Sequence, residues 1–180
     1  MKNLSLIVFL SVLVFSCNTK PKMLTKQDLV NEIDSLEYQI YKSGEELLDN
    51  RKQERLIGAY KDYAKKFRSD SLAAKYWFKA AQIQINLGES LNAIKTLDSL
   101  IANYPKNKLT PSALQFKAFI YDDRLGKIDE ARATLDELIN NFPESELVEN
   151  AKAYKETLGK SPEEIIVEME AKAKENKSKE

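Results

Sequence analysis

The chain has no histidine and one cysteine, Cys17. That composition leaves no Ser-His or Cys-His nucleophile, no imidazole metal site and no paired thiolate site. The five glycines are scattered, so no glycine-rich phosphate loop occurs. The acidic pairs Glu45-Glu46, Asp122-Asp123 and Glu163-Glu164 remain as groups for acid–base work. Solvated helix faces and helix starts account for them more simply. Lysine-activated serine chemistry is open in principle, but no pattern marks it. No cofactor, metal or small-molecule substrate is expected, and a non-catalytic role is the favoured reading. With 28 basic and 28 acidic residues, no global field points to nucleic acid.

Cys17 is the one residue whose position carries chemistry of its own. Lys2 precedes an apolar run of 12 residues, Leu4 to Phe15, too short to span a bilayer comfortably. Val14-Phe15-Ser16-Cys17 resembles a bacterial lipobox. The resemblance implies a diacylglyceride in thioether linkage to the Cys17 sulfur and cleavage after Ser16. Residues 1–16 are then a lipoprotein signal peptide, and several acyl chains anchor the mature chain stably. The alternative is an ordinary secretory signal that happens to contain a cysteine. The lipoprotein reading is favoured because the single cysteine sits where the leader ends. Without a second cysteine no internal disulfide can form, even in an oxidising compartment. Residues 17–25 form a polar tether. Its eight residues from Asn18 to Thr25 reach at most about 28 Å.

The folded part is organised by a pattern written twice. Trp77, Ala80, Ala81, Gly88, Ala93, Leu97, Leu100, Tyr104 and Pro105 recur as Gln115, Ala118, Phe119, Gly126, Ala131, Leu135, Leu138, Phe142 and Pro143. Each pair is offset by 38 residues, as from Gly88 to Gly126. A fixed period of this size signals stacked helix pairs. Tyr76, Ala80, Ile83 and Leu87, and again Leu114, Ala118, Tyr121 and Leu125, step by 4, 3 and 4 along one helical face. Gly88 and Gly126 follow as left-handed caps. Return helices carry Leu91, Ile94, Leu97, Ile101 and Tyr104, then Ile128, Leu135, Leu138, Ile139 and Phe142. Pro105 and Pro143 stop them. Thr110-Pro111 reads as a side-chain cap followed by proline at the first helical position.

These residues resemble the tetratricopeptide repeat, W-x2-L-G-x2-Y, then A-x3-F, then P. The first copy reads Trp77, Ala80, Ala81, Gln84, Ala93, Leu97 and Pro105. The second reads Gln115, Ala118, Phe119, Asp122, Ala131, Leu135 and Pro143. Gln84 and Asp122 replace the tyrosine, Phe119 replaces a small residue, and the second copy lacks its tryptophan. The period of 38 exceeds the usual one of about 34. Copies with lengthened linkers and an aromatic-Pro ending resemble those of bacterial outer-membrane assembly lipoproteins and periplasmic cell-division coordinators. The expected architecture is an all-α solenoid of about seven to eight antiparallel helices. Repeats cover about 74–107 and 112–145 within a domain at 26–159.

Residues 26–68 read as a degenerate first repeat. Thr25-x-x-Asp28 is a capping-box start, and Leu29, Ile33, Leu36 and Ile40 form an apolar stripe expected to run past Gly44 to about Leu48. Leu56, Ala59, Tyr60, Tyr63, Ala64 and Phe67 make its return helix. After Pro143, Leu147, Ala151, Tyr154 and Leu158 begin a third copy that ends at Gly159. Residues 160–180 read as a capping helix, opened by Ser161-Pro162-Glu163-Glu164, and a charged tail that frays from Ala171.

The family's groove positions fall on Lys75, Phe78, Lys79, Gln82 and Asn86, then on Phe116, Lys117, Ile120, Asp123 and Arg124. Three lysines and an arginine beside two phenylalanines would grip an acidic, partly apolar peptide. Burial of Phe78 and Phe116 between helices is the other reading. The carboxylate-clamp form of the fold has lysine and asparagine where Phe78 and Gln82 stand. Trp77 and Tyr76 are expected in the core. The expectation is a lipid-anchored, periplasm-facing scaffold at a bacterial outer membrane that binds envelope protein segments. The resemblance implies roles in outer-membrane protein assembly or in envelope and division coordination. Alternatives are a spacer that self-associates through the Leu29–Ile40 stripe and an enzyme acting on cell wall or glycans.

Overall fold

The structure, a computed structural model, describes residues 24–41 and 50–177. The expected leader, Cys17 and the lipobox-like stretch before it, Gly44, Glu45-Glu46 and Leu47-Leu48 lie outside these residues, as does the expected continuation of the first helix to Leu48. Among the described residues there are eight α-helices and no strand. They are α1 (Lys26–Tyr41), α2 (Asn50–Lys66), α3 (Ala73–Asn86), α4 (Ser90–Asn103), α5 (Thr110–Phe119), α6 (Ile128–Asn141), α7 (Val148–Thr157) and α8 (Pro162–Lys177). A π-helical turn, Ile120–Arg124, prolongs α5. From α1 to α7 each helix packs on its successor. This is the all-α tetratricopeptide-like solenoid that the period of 38 predicts.

The ends of the helices follow from a few side chains. Thr25 and Asp28 bond reciprocally: the Asp28 N–H donates to Thr25 Oγ1 at 3.1 Å and the Thr25 N–H to Asp28 Oδ2 at 3.0 Å. Ser161 and Glu164 repeat this capping box at α8, at 3.2 and 2.8 Å. Gly88 and Gly126 have φ of 77° and 62°, the left-handed conformation that ends a helix at little cost only for glycine. Thr110 does not cap as expected. It lies inside the first turn of α5, fully buried, and its hydroxyl donates to the Tyr104 carbonyl at 2.6 Å.

A six-residue link, residues 104–109, joins the two copies, and the same link occurs three times. The carbonyls of Phe67, Tyr104 and Phe142 accept from the N–H of Asp70, Asn107 and Ser145 at 2.9, 3.0 and 2.9 Å. The side-chain oxygens of Asp70, Asn107 and Ser145 then accept from the N–H of Leu72, Leu109 and Leu147 at 2.9, 3.0 and 3.3 Å. Side chains of this kind stabilise a turn by copying a backbone acceptor two residues away. Phe67-Arg68-Ser69-Asp70 makes the link without proline. The recurring aromatic and the Asp, Asn or Ser three residues later therefore define it.

The core runs as three linked clusters. Leu29, Ile33, Leu36 and Ile40 of α1 bury against Leu56, Tyr60 and Tyr63 of α2 and Tyr76 and Ala80 of α3. The α1 stripe is thus consumed inside the fold and supplies no coiled-coil seam. Trp77, Ala81, Ala93, Leu97, Leu100, Ala113 and Ile120 form the second cluster, and Leu114, Ala118, Leu135, Leu138 and Ala151 lie in the third. Trp77 and Tyr76 are buried as expected. Leu91, expected on the apolar face of α4, is 61% exposed. Past α7 the stack gains no cover: Ile166, Val167 and Met169 of α8 are exposed. The helix nevertheless continues to Lys177, beyond the fraying expected from Ala171.

Candidate protein-binding groove

The first helices of successive pairs, α3, α5 and α7, present one side to a trough. Two adjoining cavities of about 470 and 400 Å³ form it, and they share Gln82 and Phe116. The first cavity is lined by Tyr41, Tyr60, Lys79, Gln82, Asn86 and Phe116, among others. The second is lined by Phe78, Gln82, Ser112, Gln115, Phe116, Phe119 and Tyr154. Of the predicted groove residues, Phe78, Lys79, Gln82, Asn86 and Phe116 are brought together here. Lys75 is exposed on α3 but lines neither cavity, and the same holds for the exposed pair Asp123 and Arg124, whose side chains bond each other at 3.1 Å. Ile120 is a correction: it is 0% exposed and packs with Trp77 and Leu97 in the second cluster. The π turn begins there and turns its side chain inward.

Two of the three groove lysines, Lys79 and Lys117, are ion-paired. Lys79 Nζ donates to Glu37 Oε1 of α1 at 2.7 Å and lies 5.6 Å from the Tyr60 ring centroid. Lys117 Nζ pairs with Asp98 of α4 at 2.6 Å and lies 5.9 Å from the Tyr121 ring. The Tyr60 hydroxyl also donates to Glu37 Oε1, at 2.5 Å. Burial works to raise the Glu37 carboxyl. The Lys79 and Tyr60 donors outweigh it and hold the group below its ordinary value. Burial, and then the bond to Glu37, pushes the Tyr60 phenol well up. Lys79 and Lys117 are thus each ion-paired to an acidic side chain of the fold, and Lys75 lines neither cavity.

The second cavity is aromatic instead. The Phe78 and Phe116 rings lie 5.8 Å apart, and Phe116 stacks on Phe119 at 6.5 Å with planes 14° apart. Such offset ring pairs are favourable beyond their buried area. Phe78 and Phe116 are half-buried, between the two readings the sequence allowed, while Phe119 is 37% exposed. Tyr154 of α7 forms the far wall. Its hydroxyl donates to Asp122 Oδ2 of the π turn at 2.7 Å. Burial, followed by that bond, raises the Tyr154 phenol.

Phe119, Gln115 and Tyr154 were not among the residues predicted for the groove. For Gln115 and Phe119 the signal was in the repeat pattern, as departures from it. Gln115 stands for tryptophan and Phe119 for a small residue. Of the acidic pairs, Asp122 accepts from Tyr154, Asp123 pairs with Arg124, and Glu164 caps α8. Each has a structural task. Among the described residues no group of histidine, cysteine or acidic side chains is arranged to hold a metal, and no helix is long and apolar enough to cross a membrane.

A search of curated proteins finds no match to this chain. The family profile of the tetratricopeptide repeat matches residues 76–107 and 117–145. Those two stretches therefore read as tetratricopeptide repeats, modules that in general bind protein partners and are non-catalytic.

Proposed function

We propose that this chain is a lipid-anchored scaffold of the bacterial envelope that binds segments of other proteins through the trough on α3, α5 and α7. The observation that carries the binding role is that trough, where half-buried phenylalanines and uncharged polar side chains meet without assembling catalytic groups. The anchor rests on the lipobox-like Val14-Phe15-Ser16-Cys17 and the apolar run before it. Anchoring through Cys17 at the outer membrane, facing the periplasm, would hold the solenoid near the lipid surface on its short tether. The lengthened repeats with aromatic-Pro endings support a role in outer-membrane protein assembly or in envelope and division coordination.

Two measurements test this reading. Mass spectrometry of the mature N-terminus should find an acylated Cys17 as first residue, and Cys17→Ala should release the chain from membranes. A mature protein with a free Cys17 thiol overturns the anchor. A photo-crosslinker placed at exposed Asn86 in cells should capture a discrete set of envelope proteins; capture no different from one at Glu149 on α7 overturns the trough.

A further inference from the structure

This inference rests on the trough reading above and names what its aromatic half takes. We infer that the cavity between α3, α5 and α7 accepts a neutral segment of a partner protein, anchored by one inserted phenylalanine, leucine or methionine. None of the seven residues lining it carries a formal charge. The nearby cations are already balanced, Lys79 by Glu37 and Lys117 by Asp98. A carboxylate brought in would lose water and find no counter-ion. An apolar side chain would meet the Phe116 ring and the two rings packed on it, Phe78 and Phe119. The volume of about 400 Å³ suits a single large side chain with its flanking backbone. Gln82, Gln115 and Ser112 offer donors and acceptors to that backbone.

A second copy of this chain fits the cavity poorly. That holds for its α8, where the exposed apolar residues Ile166, Val167 and Met169 stand among Glu163, Glu164, Glu168 and Glu170. The same electrostatics that turn away an acidic peptide turn away that helix. Tyr154 acts as a positioning residue, because the Asp122 carboxylate fixes its ring as the far wall.

Fluorescence anisotropy with the full chain tests the inference. The probes are short labelled peptides of serine and asparagine. One carries a central Phe-Leu pair, one carries the same pair flanked by glutamates, one has it flanked by arginines, and one has serine in its place. The neutral Phe-Leu probe should bind saturably, and the other three at least about tenfold more weakly. Gln82→Glu, at an exposed position, should weaken the neutral probe by about tenfold, and Phe119→Ala by a similar factor. Lys75→Glu should leave it unchanged. Thermal melts confirm folding; should Phe119→Ala unfold, Gln82→Glu alone decides. No saturable binding of the neutral probe overturns the inference, as does equal or tighter binding of a charged or serine probe. Binding indifferent to Gln82→Glu overturns it too. Should crosslinks at Asn86 persist when the neutral probe fails, the neutral-anchor inference falls and the scaffold reading stands. Absence of both removes both.

Discussion

In the first copy Trp77 and Ala81 are buried between helices; in the second their counterparts, Gln115 and Phe119, line the trough. The period is the same, and the second copy adds the π turn Ile120–Arg124, which α3 lacks. At these two positions the side chains differ as well. Ala81, 0% exposed, occupies the thin spot where neighbouring helices come together. A phenylalanine there cannot sit between close helices, and in the second copy it turns outward, stacked on Phe116. Gln82 and Ile120 show the converse, one exposed and the other in the core. Repeats that share a core need not share a surface, and a departure from the repeat pattern can mark where the surface has work to do.

Where the copies agree, equal damage should give equal loss. Leu97 and Leu135 are fully buried and related by the period of 38. Leu97→Ala and Leu135→Ala should each cost about 2–5 kcal/mol. Chemical denaturation followed by circular dichroism measures both. A difference between them larger than that range would mean the two pairs do not carry equivalent cores.

The agreement was also what could be read before any coordinates. Small residues, glycine caps and prolines at fixed offsets impose the hairpins, because each is a backbone requirement that few residue types can meet. The groove was legible only in part. Phe78, Gln82 and Phe116 follow from the family's positions, and Phe119 stands one turn from Phe116 on the same helix, but Tyr154 comes into range only through packing across helices. The pairing of Lys79 with Glu37 spans 42 residues and has no signature in either neighbourhood. The π turn was equally hidden: it moves Ile120 inward and Asp122 toward Tyr154, and no local composition announces it. Pro105 and Pro143 mark where α4 and α6 end, as expected, while the Asp70, Asn107 and Ser145 side chains that bond the link backbone carry no comparable signal.

Exchanging the divergent residues sharpens the comparison. Ala81→Phe should overpack the second cluster and cost about 1–3 kcal/mol. Phe119→Ala, made at a partly exposed site, should change stability by about 0.5 kcal/mol or less. If both prove equally damaging by thermal melting, Phe119 is a core residue and the trough is not open.

The buried polar positions give a smaller contrast. Both Thr96 and its counterpart Thr134 reach the carbonyl four residues back, Asn92 at 2.9 Å and Glu130 at 2.7 Å, but Thr96 also reaches the buried Gln84 Oε1, at 2.7 Å. Thr96→Val strips a buried acceptor of its donor and should cost about 1–3 kcal/mol. Thr134→Val removes only a back-bond to a carbonyl already in the helical ladder and should be close to neutral. Urea midpoints of the two variants decide it, and equal losses would show that the two hairpins use the threonine in the same way.

The smallest expected effect separates the α1 end of the stack from both copies. Glu37 has its carboxyl held below the ordinary value, with Lys79 and Tyr60 outweighing burial. Its folded pKa lies below the unfolded one, so its contribution is complete above the unfolded value of about 4.3 and is lost as pH falls through the lower folded value. Asp70, held down by Lys26 and then by the Leu72 N–H, acts in the same direction at the same end. Glu37 is partly exposed, which limits the effect to under about 1 kcal/mol. Glu37→Gln should therefore melt slightly below the parent at about pH 7 and converge with it once pH falls below the lowered folded value, where both side chains are neutral. A gap that survives into acid would mean that Glu37 holds α1 on α3 by shape and hydrogen bonding rather than by charge. The Lys79 contact would then be no guide to how the groove treats a charged ligand.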